Sequence, residues 1–266
     1  MIDYHLHTKR CHHAVGELEE YLEEARRKGL QEIGFADHFP LDLLDCPLDR
    51  PVSMAGEELE EYVQDVTRLA SRGENPRIRL GIEVDFFPGK EGETRRLLAK
   101  YPFDYVLGSL HFLHGWDFTN PRQVQGFEEG CIETIYEDYF ALVHQLAASR
   151  LFDSVAHIDV VRKFGYDTYE EHKTAIVGKT AGILKETGMC VEVNTSGWRF
   201  PVAEQYPSRD LLEACFQEDV PVTLGSDAHT PSQVGEGVAQ AVRLLKDVGY
   251  RRVALYERRQ RHYTNL

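Results

Sequence analysis

Short apolar runs alternate along the chain with segments whose apolar residues recur every three or four positions. Runs of the first kind predict strands at residues 2–6, 32–36, 78–84, 105–109, 154–156, 189–193 and 220–224, with 253–255 as a weaker eighth. Between the first two, Leu18, Tyr21, Leu22 and Ala25 share one face of a helical period, and Gly29 follows as a C-terminal stop. The period returns in Leu59, Val63, Val66 and Ala70, then in Ile132, Ile135, Tyr139 and Val143, and then in Val238, Ala241, Leu245 and Val248 ahead of Gly249. Strands alternating with amphipathic helices are the order of βα units, so the pattern predicts an α/β protein built on a parallel sheet.

Two connections are longer and irregular: residues 37–56 and 111–128, both rich in Pro, Asp and aromatic residues. Loops of that length are often functional, and these two are expected to form a substrate pocket. The chain has no solenoid repeat, low-complexity segment or Gly/Ser-rich linker. With 266 residues, 42% of them hydrophobic, residues 1–266 are expected to form a single domain.

Charge and cysteine usage narrow the function. A formal net charge of −14 repels a phosphate backbone from most of the surface. It leaves room for a small anionic substrate at a local metal or cationic site. Cys11, Cys46, Cys131, Cys190 and Cys215 are odd in number and form no CxxC pair, so they read as reduced, mostly buried thiols. No run approaches the roughly 20 apolar residues needed to cross a bilayer, and the opening MIDYHLH has no signal-peptide architecture. The expectation is a cytoplasmic enzyme with neither membrane nor nucleic acid among its partners.

Candidate chemistry falls at one recurring place, the C-terminal ends of the predicted strands, where barrel enzymes carry their active sites. The first strand ends in His5 and His7, whose two-residue spacing puts both imidazoles on one side. The second leads to Asp37 and His38, the third carries Glu83 and Asp85, and the fourth reaches His111. The fifth reaches His157 and Asp159, and the seventh gives Asp227 and His229. Gathering so many imidazoles and carboxylates in one barrel mouth is costly unless bound divalent cations pair them. The mixed nitrogen and oxygen donors suit Zn, Mn or Fe. Asp37, next to a ligand, reads either as an acceptor that orients a histidine or as a turn cap. Cys11, beside His12 and His13, reads as a small packed residue, with ligation as the alternative.

In this order HLHT, FADHF, GIEVDF, GSLHF, AHIDVVRKFG and GSDAHT resemble the motif series of the PHP-superfamily phosphoesterases over nearly the whole chain. The resemblance implies a distorted seven-stranded (β/α) barrel of the PHP type holding three divalent metal ions. It implies His5, His7, Glu83 and Asp227 around a first ion, with Glu83 bridging to a second held by His111 and His157. A third would take His38, His229 and a histidine from the loop after the first strand. There a CPHG-like pattern reads Cys11-His12-His13-Ala14; His13 aligns and His12 is its rival. Glu83 and Asp227 carry the implied catalytic role.

HIDVVRKFG and EVNTSGWRF are similar to the histidinol-phosphate phosphatase branch, with Arg162 and Arg199 as implied phosphate clamps. The expected substrate is then histidinol phosphate, a small phosphorylated metabolite. Alternatives within the superfamily are a nucleotide phosphatase or exonuclease and a protein-tyrosine phosphatase. An inactive metal-binding structural module is the non-enzymatic one.

Overall fold

A computed structural model describes residues 1–46 and 52–266. Each predicted strand forms, and all seven run parallel in the spatial order in which the barrel closes. β1 (Ile2–Leu6), β2 (Glu32–Phe35), β3 (Arg77–Asp85) and β4 (Tyr105–Ser109) lie side by side. The two-residue strands β5 (Phe112–Leu113) and β6 (Trp116–Asp117) make a small antiparallel hairpin above β4 in the chain. The main sheet continues with β7 (Ser154–Val155), β8 (Cys190–Asn194) and β9 (Val222–Gly225). After β9, Ala228 bridges back to Leu6 in parallel, its carbonyl accepting from the His7 N–H at 2.9 Å. The sheet therefore closes on itself as a (β/α) barrel. It is distorted because β7 is so short and because the β1–β2 register shifts between Asp3 and Leu6.

Helices cover the outside: α1 (Leu18–Arg27), α2 (Leu59–Ala70), α3 (Glu91–Leu98), α4 (Gly126–Glu129), α5 (Ile132–Ser149), α6 (Glu170–Thr187), α7 (Arg209–Gln217) and α8 (Val238–Val248). The four helices predicted from periodicity are α1, α2, α5 and α8. α6 escapes the pattern because only Thr180, Ala181 and Leu184 of its 18 residues are buried. Its partly covered face carries too little hydrophobic signal. Outward-facing Ile33, Phe35, Ile82, Val84, Val106 and Val191 pack with Leu22, Tyr62, Val66, Tyr139 and Leu184 in one core. Among the described residues, no helix is long and apolar enough to cross a membrane.

The two ends of the barrel differ, and this difference positions the site. The weak eighth strand is not part of the barrel; it belongs to β10 (Arg252–Glu257), which pairs antiparallel with β11 (Gln260–Asn265). This hairpin closes the end where the strands begin. Arg259 donates to the carbonyls of Asp104 and Leu151, and Arg261 to that of Gly188, residues that each precede a barrel strand. Inside, the Tyr4 and Tyr105 rings stack at 4.8 Å and Tyr256 packs beside them. Gly34 and Gly81 make room for this plug: a Cβ on either would lie 2.1 or 2.2 Å from the Tyr105 side chain. Only the C-terminal end of the strands is left for a site.

Truncating the plug should be expensive. Tyr105→Ala is expected to cost about 3–5 kcal/mol, in the range of large aromatic-to-alanine changes in packed cores. Urea denaturation followed by circular dichroism measures it; a loss below about 1 kcal/mol would show that the plug does not brace the barrel.

Candidate metal centre

At the open end, side chains from successive strands converge on Glu83. Its carboxylate is 1% exposed and has five imidazoles around it. On Oε2, His38 Nδ1 lies at 3.0 Å, His5 Nε2 at 3.3 Å and His7 Nε2 at 3.6 Å. On Oε1, His157 Nε2 lies at 2.9 Å and His111 Nε2 at 3.7 Å. The backbone fixes part of this arrangement, because His38 pairs with Glu83 as an extension of the β2–β3 ladder. A second carboxylate, Asp227, sits 3.2 Å from His7 Nε2, 3.4 Å from His229 Nδ1 and 4.0 Å from His5 Nε2.

The loop after β1 settles which of two adjacent histidines faces this cluster. His13 Nε2 is 3.0 Å from His229 Nε2, so the two nitrogens can share at most one proton and are set to share a cation instead. His12 is in the left-handed backbone region and turns outward toward Glu58. Cys11 is buried, its thiol donating to the Thr8 carbonyl at 3.1 Å. It nevertheless lies close enough to His13 and His229 to complete a three-donor group.

Several groups hold the donors in place. Asp37 takes the orienting role: Oδ1 is 3.4 Å from His7 Nδ1, and Oδ2 accepts from the Thr8 N–H at 3.1 Å and from its hydroxyl. Asp85 Oδ1 holds His111 Nδ1 at 2.9 Å and its backbone N–H at 3.1 Å. Glu192 was not singled out from the sequence. Its Oε1 is 2.6 Å from His5 Nδ1, and its Oε2 accepts from the His157 N–H and from Asn194 Nδ2, each at 2.9 Å. The signal was available in CVEVN: a charged residue in an otherwise apolar buried strand faces the same side as Asn194. Asp3 was also overlooked; it accepts from the Ser226 N–H and hydroxyl and from the Gly235 N–H, fixing the turn that presents Asp227.

The electrostatics fit a cation site. Burial alone would depress His5 and His7. Glu192, Glu83 and Asp227 nevertheless hold His5 well above the usual imidazole range, and Asp227 with Asp37 does the same for His7. Burial opposes ionisation of Glu83 and Asp227, but the surrounding histidines hold both carboxyls well below their ordinary values. Burial pushes His38 and His229 far down, so they stand as neutral donors. His5 Nε2, His7 Nε2 and His157 Nδ1 are buried without a hydrogen-bond partner among the described residues. The Nε2 atoms of His5 and His7 face Glu83 and Asp227 as ligand nitrogens would, and the donors fall into compact groups: His5, His7 and Glu83; His38, Glu83 and His111; His7, His38 and His229. The residues present therefore fit divalent metal ions. Backbone strain accompanies them: His157 and Asp227 have φ of 27° and 54°.

A cavity of about 300 Å³ opens over this cluster, lined among others by His13, Glu83, His111, His157, Asp227 and His229. Both long connections reach it, through His38 and Val52 and through Phe112, Asp117, Thr119 and Pro121; residues 47–51 of the first lie outside the described residues. The two expected phosphate clamps part ways here. Arg199 lines the cavity and donates to the carbonyls of Ser226 and Asp227, each at 2.9 Å. Arg162 is not brought to it: its guanidinium is held by Asp159 at 3.0 Å and by Glu204. The next residue, Lys163, lines the cavity instead, its Nζ 4.3 Å from the centre of the Phe200 ring. Ion pairs with two carboxylates hold Arg162 aside and leave Lys163 on the cavity wall.

A parallel barrel that gathers imidazoles and carboxylates at the open ends of its strands is the framework of a metal-dependent hydrolase. The chain belongs to the PHP domain family, whose model matches residues 3–196. It is 39% identical over 264 residues to a Deinococcus radiodurans protein named Probable histidinol-phosphatase, covering 97% of this chain and 98% of that one. It is 32% identical over 260 residues to the Histidinol-phosphatase of Bacillus subtilis, covering 88% of this chain and 95% of that one. The solved histidinol phosphate phosphatase of Lactococcus lactis, complexed with zinc, L-histidinol and phosphate, has the same fold, with a TM-score of 0.83 at 22% identity and 98% of both chains covered.

Glu192 provides a test of how the donors are held. Glu192→Ala is expected to lower metal affinity about 10–100-fold, the usual effect of losing a carboxylate behind a metal-binding histidine, with the fold retained. Competition with a chromophoric chelator measures it. Unchanged affinity would show that His5 is oriented by packing alone.

Proposed function

We propose that this protein hydrolyses the phosphate monoester of L-histidinol phosphate, releasing L-histidinol and phosphate. The observation that carries the reading is that one small cavity joins the Glu83 cluster to two cationic side chains, Arg199 and Lys163. Full-length similarity to named histidinol-phosphatases supports the choice of substrate. The net charge of −14 and the small size of the cavity favour a small ester over a polymer.

Divalent ions in such a site lower the pKa of bound water toward neutrality and offset charge on the phosphoryl oxygens. We assign three of them, as the sequence motifs imply: His5, His7, Glu83 and Asp227 around one; Glu83, His111 and His157 around another; and His13, His38 and His229 around the last. Zinc, iron and manganese all suit these nitrogen and oxygen donors. Glu83 is central because its two oxygens face separate histidine groups, so it would be held in common by two of the ions. Asp227 stays ionised among histidines and joins the His13–His229 side of the cavity to the His5–His7 side. Arg199 and Lys163 meet the phosphate. Arg162 has another task, holding Asp159 and Glu204 so that Lys163 is presented.

The direct test is phosphate release by metal-quantified protein, before and after chelation, from histidinol phosphate, a phosphotyrosine peptide, nucleoside monophosphates and single-stranded DNA. Histidinol phosphate should exceed the others by orders of magnitude, and chelation should abolish turnover. Preference for another ester would leave the metal site standing and remove the substrate assignment.

The cations divide along the same lines. Arg199→Ala and Lys163→Ala should each raise KM about 10-fold or more with metal content unchanged, as expected for a lost charge-assisted hydrogen bond. Arg162→Ala should mainly lower the melting temperature. A KM effect confined to Arg162→Ala would return the phosphate to that residue.

A further inference from the structure

Tyr206 is a buried polar group that the metal centre does not account for. Its side chain is 0% exposed and lines the cavity, and its hydroxyl has no hydrogen-bond partner among the described residues. Burying a phenol hydroxyl without a partner is costly, and tyrosines in cores ordinarily find one.

The structure gives the residue little freedom to escape this. Its N–H donates to the Asn194 carbonyl at 2.9 Å, and its own carbonyl accepts from the Asn194 N–H at 2.7 Å, tying it to the end of β8. Its ring meets His157 edge-on, with centroids 6.5 Å apart. On another side it lies against Gly197, where a Cβ would come within 3.1 Å of it. The hydroxyl is therefore a fixed donor. A phenol carries its proton at neutral pH, so the group can donate a hydrogen bond.

The surroundings indicate what it would meet. Ser196, Arg199, Lys163, His157 and Asp227 line the same cavity. A fixed neutral donor among two cations and the donors of a metal site complements an oxyanion. We propose that the Tyr206 hydroxyl donates a hydrogen bond to a phosphoryl oxygen of the bound ester and of the phosphate product. This rests on the proposed function only in placing a phosphate group in the cavity.

The test is Tyr206→Phe, which removes one oxygen atom and keeps the ring. On metal-loaded protein, inorganic phosphate binding is measured by calorimetry, alongside metal content and the melting temperature without phosphate. Expected are unchanged metal content, an equal or higher melting temperature because an unsatisfied hydroxyl has gone, and phosphate affinity weakened about 10-fold. The same change should appear in KM for the substrate more than in kcat. Unchanged phosphate affinity overturns the proposal. If the melting temperature also falls, the hydroxyl is held by an internal water, for which Asp159 Oδ1, also without a partner among the described residues, offers an acceptor. Loss of metal would overturn it too, making Tyr206 a support of the metal site. Because inorganic phosphate is the probe, failure of the histidinol phosphate assignment would not be mistaken for failure of this one.

Discussion

A carboxylate ringed by five imidazoles and almost cut off from water is the constraint on which the rest of this structure turns. Glu83 cannot be left there as an isolated charge, because burying an unpaired carboxylate is prohibitive. Burial works against charging His5 and His7, yet the neighbouring carboxylates hold both imidazoles well above their usual range. Divalent ions meet the need of Glu83 better, since each satisfies several donors at once and leaves the imidazoles neutral. The cluster is thus stable enough to be prearranged and unsatisfied enough to bind.

The remainder of the barrel keeps that cluster in place. Tyr4, Tyr105 and Tyr256 plug one end and leave the other free for the histidine and carboxylate donors. Glu192, Asp37 and Asp85 hold the faces of His5, His7 and His111 that do not point into the centre. Asp3 clamps the turn before Asp227, which sits in a left-handed backbone conformation. The same scaffold that gives stability therefore pays for strain at the site.

Much of this could be read from the sequence because strand ends and metal ligands both leave short, regular patterns. His5 and His7 announce themselves by alternation, and the apolar runs around Glu83 and Asp227 place those carboxylates at strand ends. The α6 helix was illegible because its buried stripe is thin, and the last apolar run was ambiguous because a hairpin strand and a barrel strand share one pattern. Glu192 was missed because it sits inside a strand rather than at its end. Whether Arg162 or Lys163 faces the cavity depends on Asp159 and Glu204, the second of them far along the chain, and no local pattern records that. Tyr206 was hidden for a similar reason: its place over the site comes from a backbone bridge to Asn194.

The central claim is that Glu83 organises the metal ions and, through them, the chemistry. Elemental analysis of Glu83→Gln protein, purified in parallel with the unaltered chain and assayed for phosphate release, tests it most directly. The substitution keeps the shape of the side chain and removes its charge. The account predicts a folded protein that has lost most of its bound metal and its turnover together. Full metal content with normal turnover would contradict it.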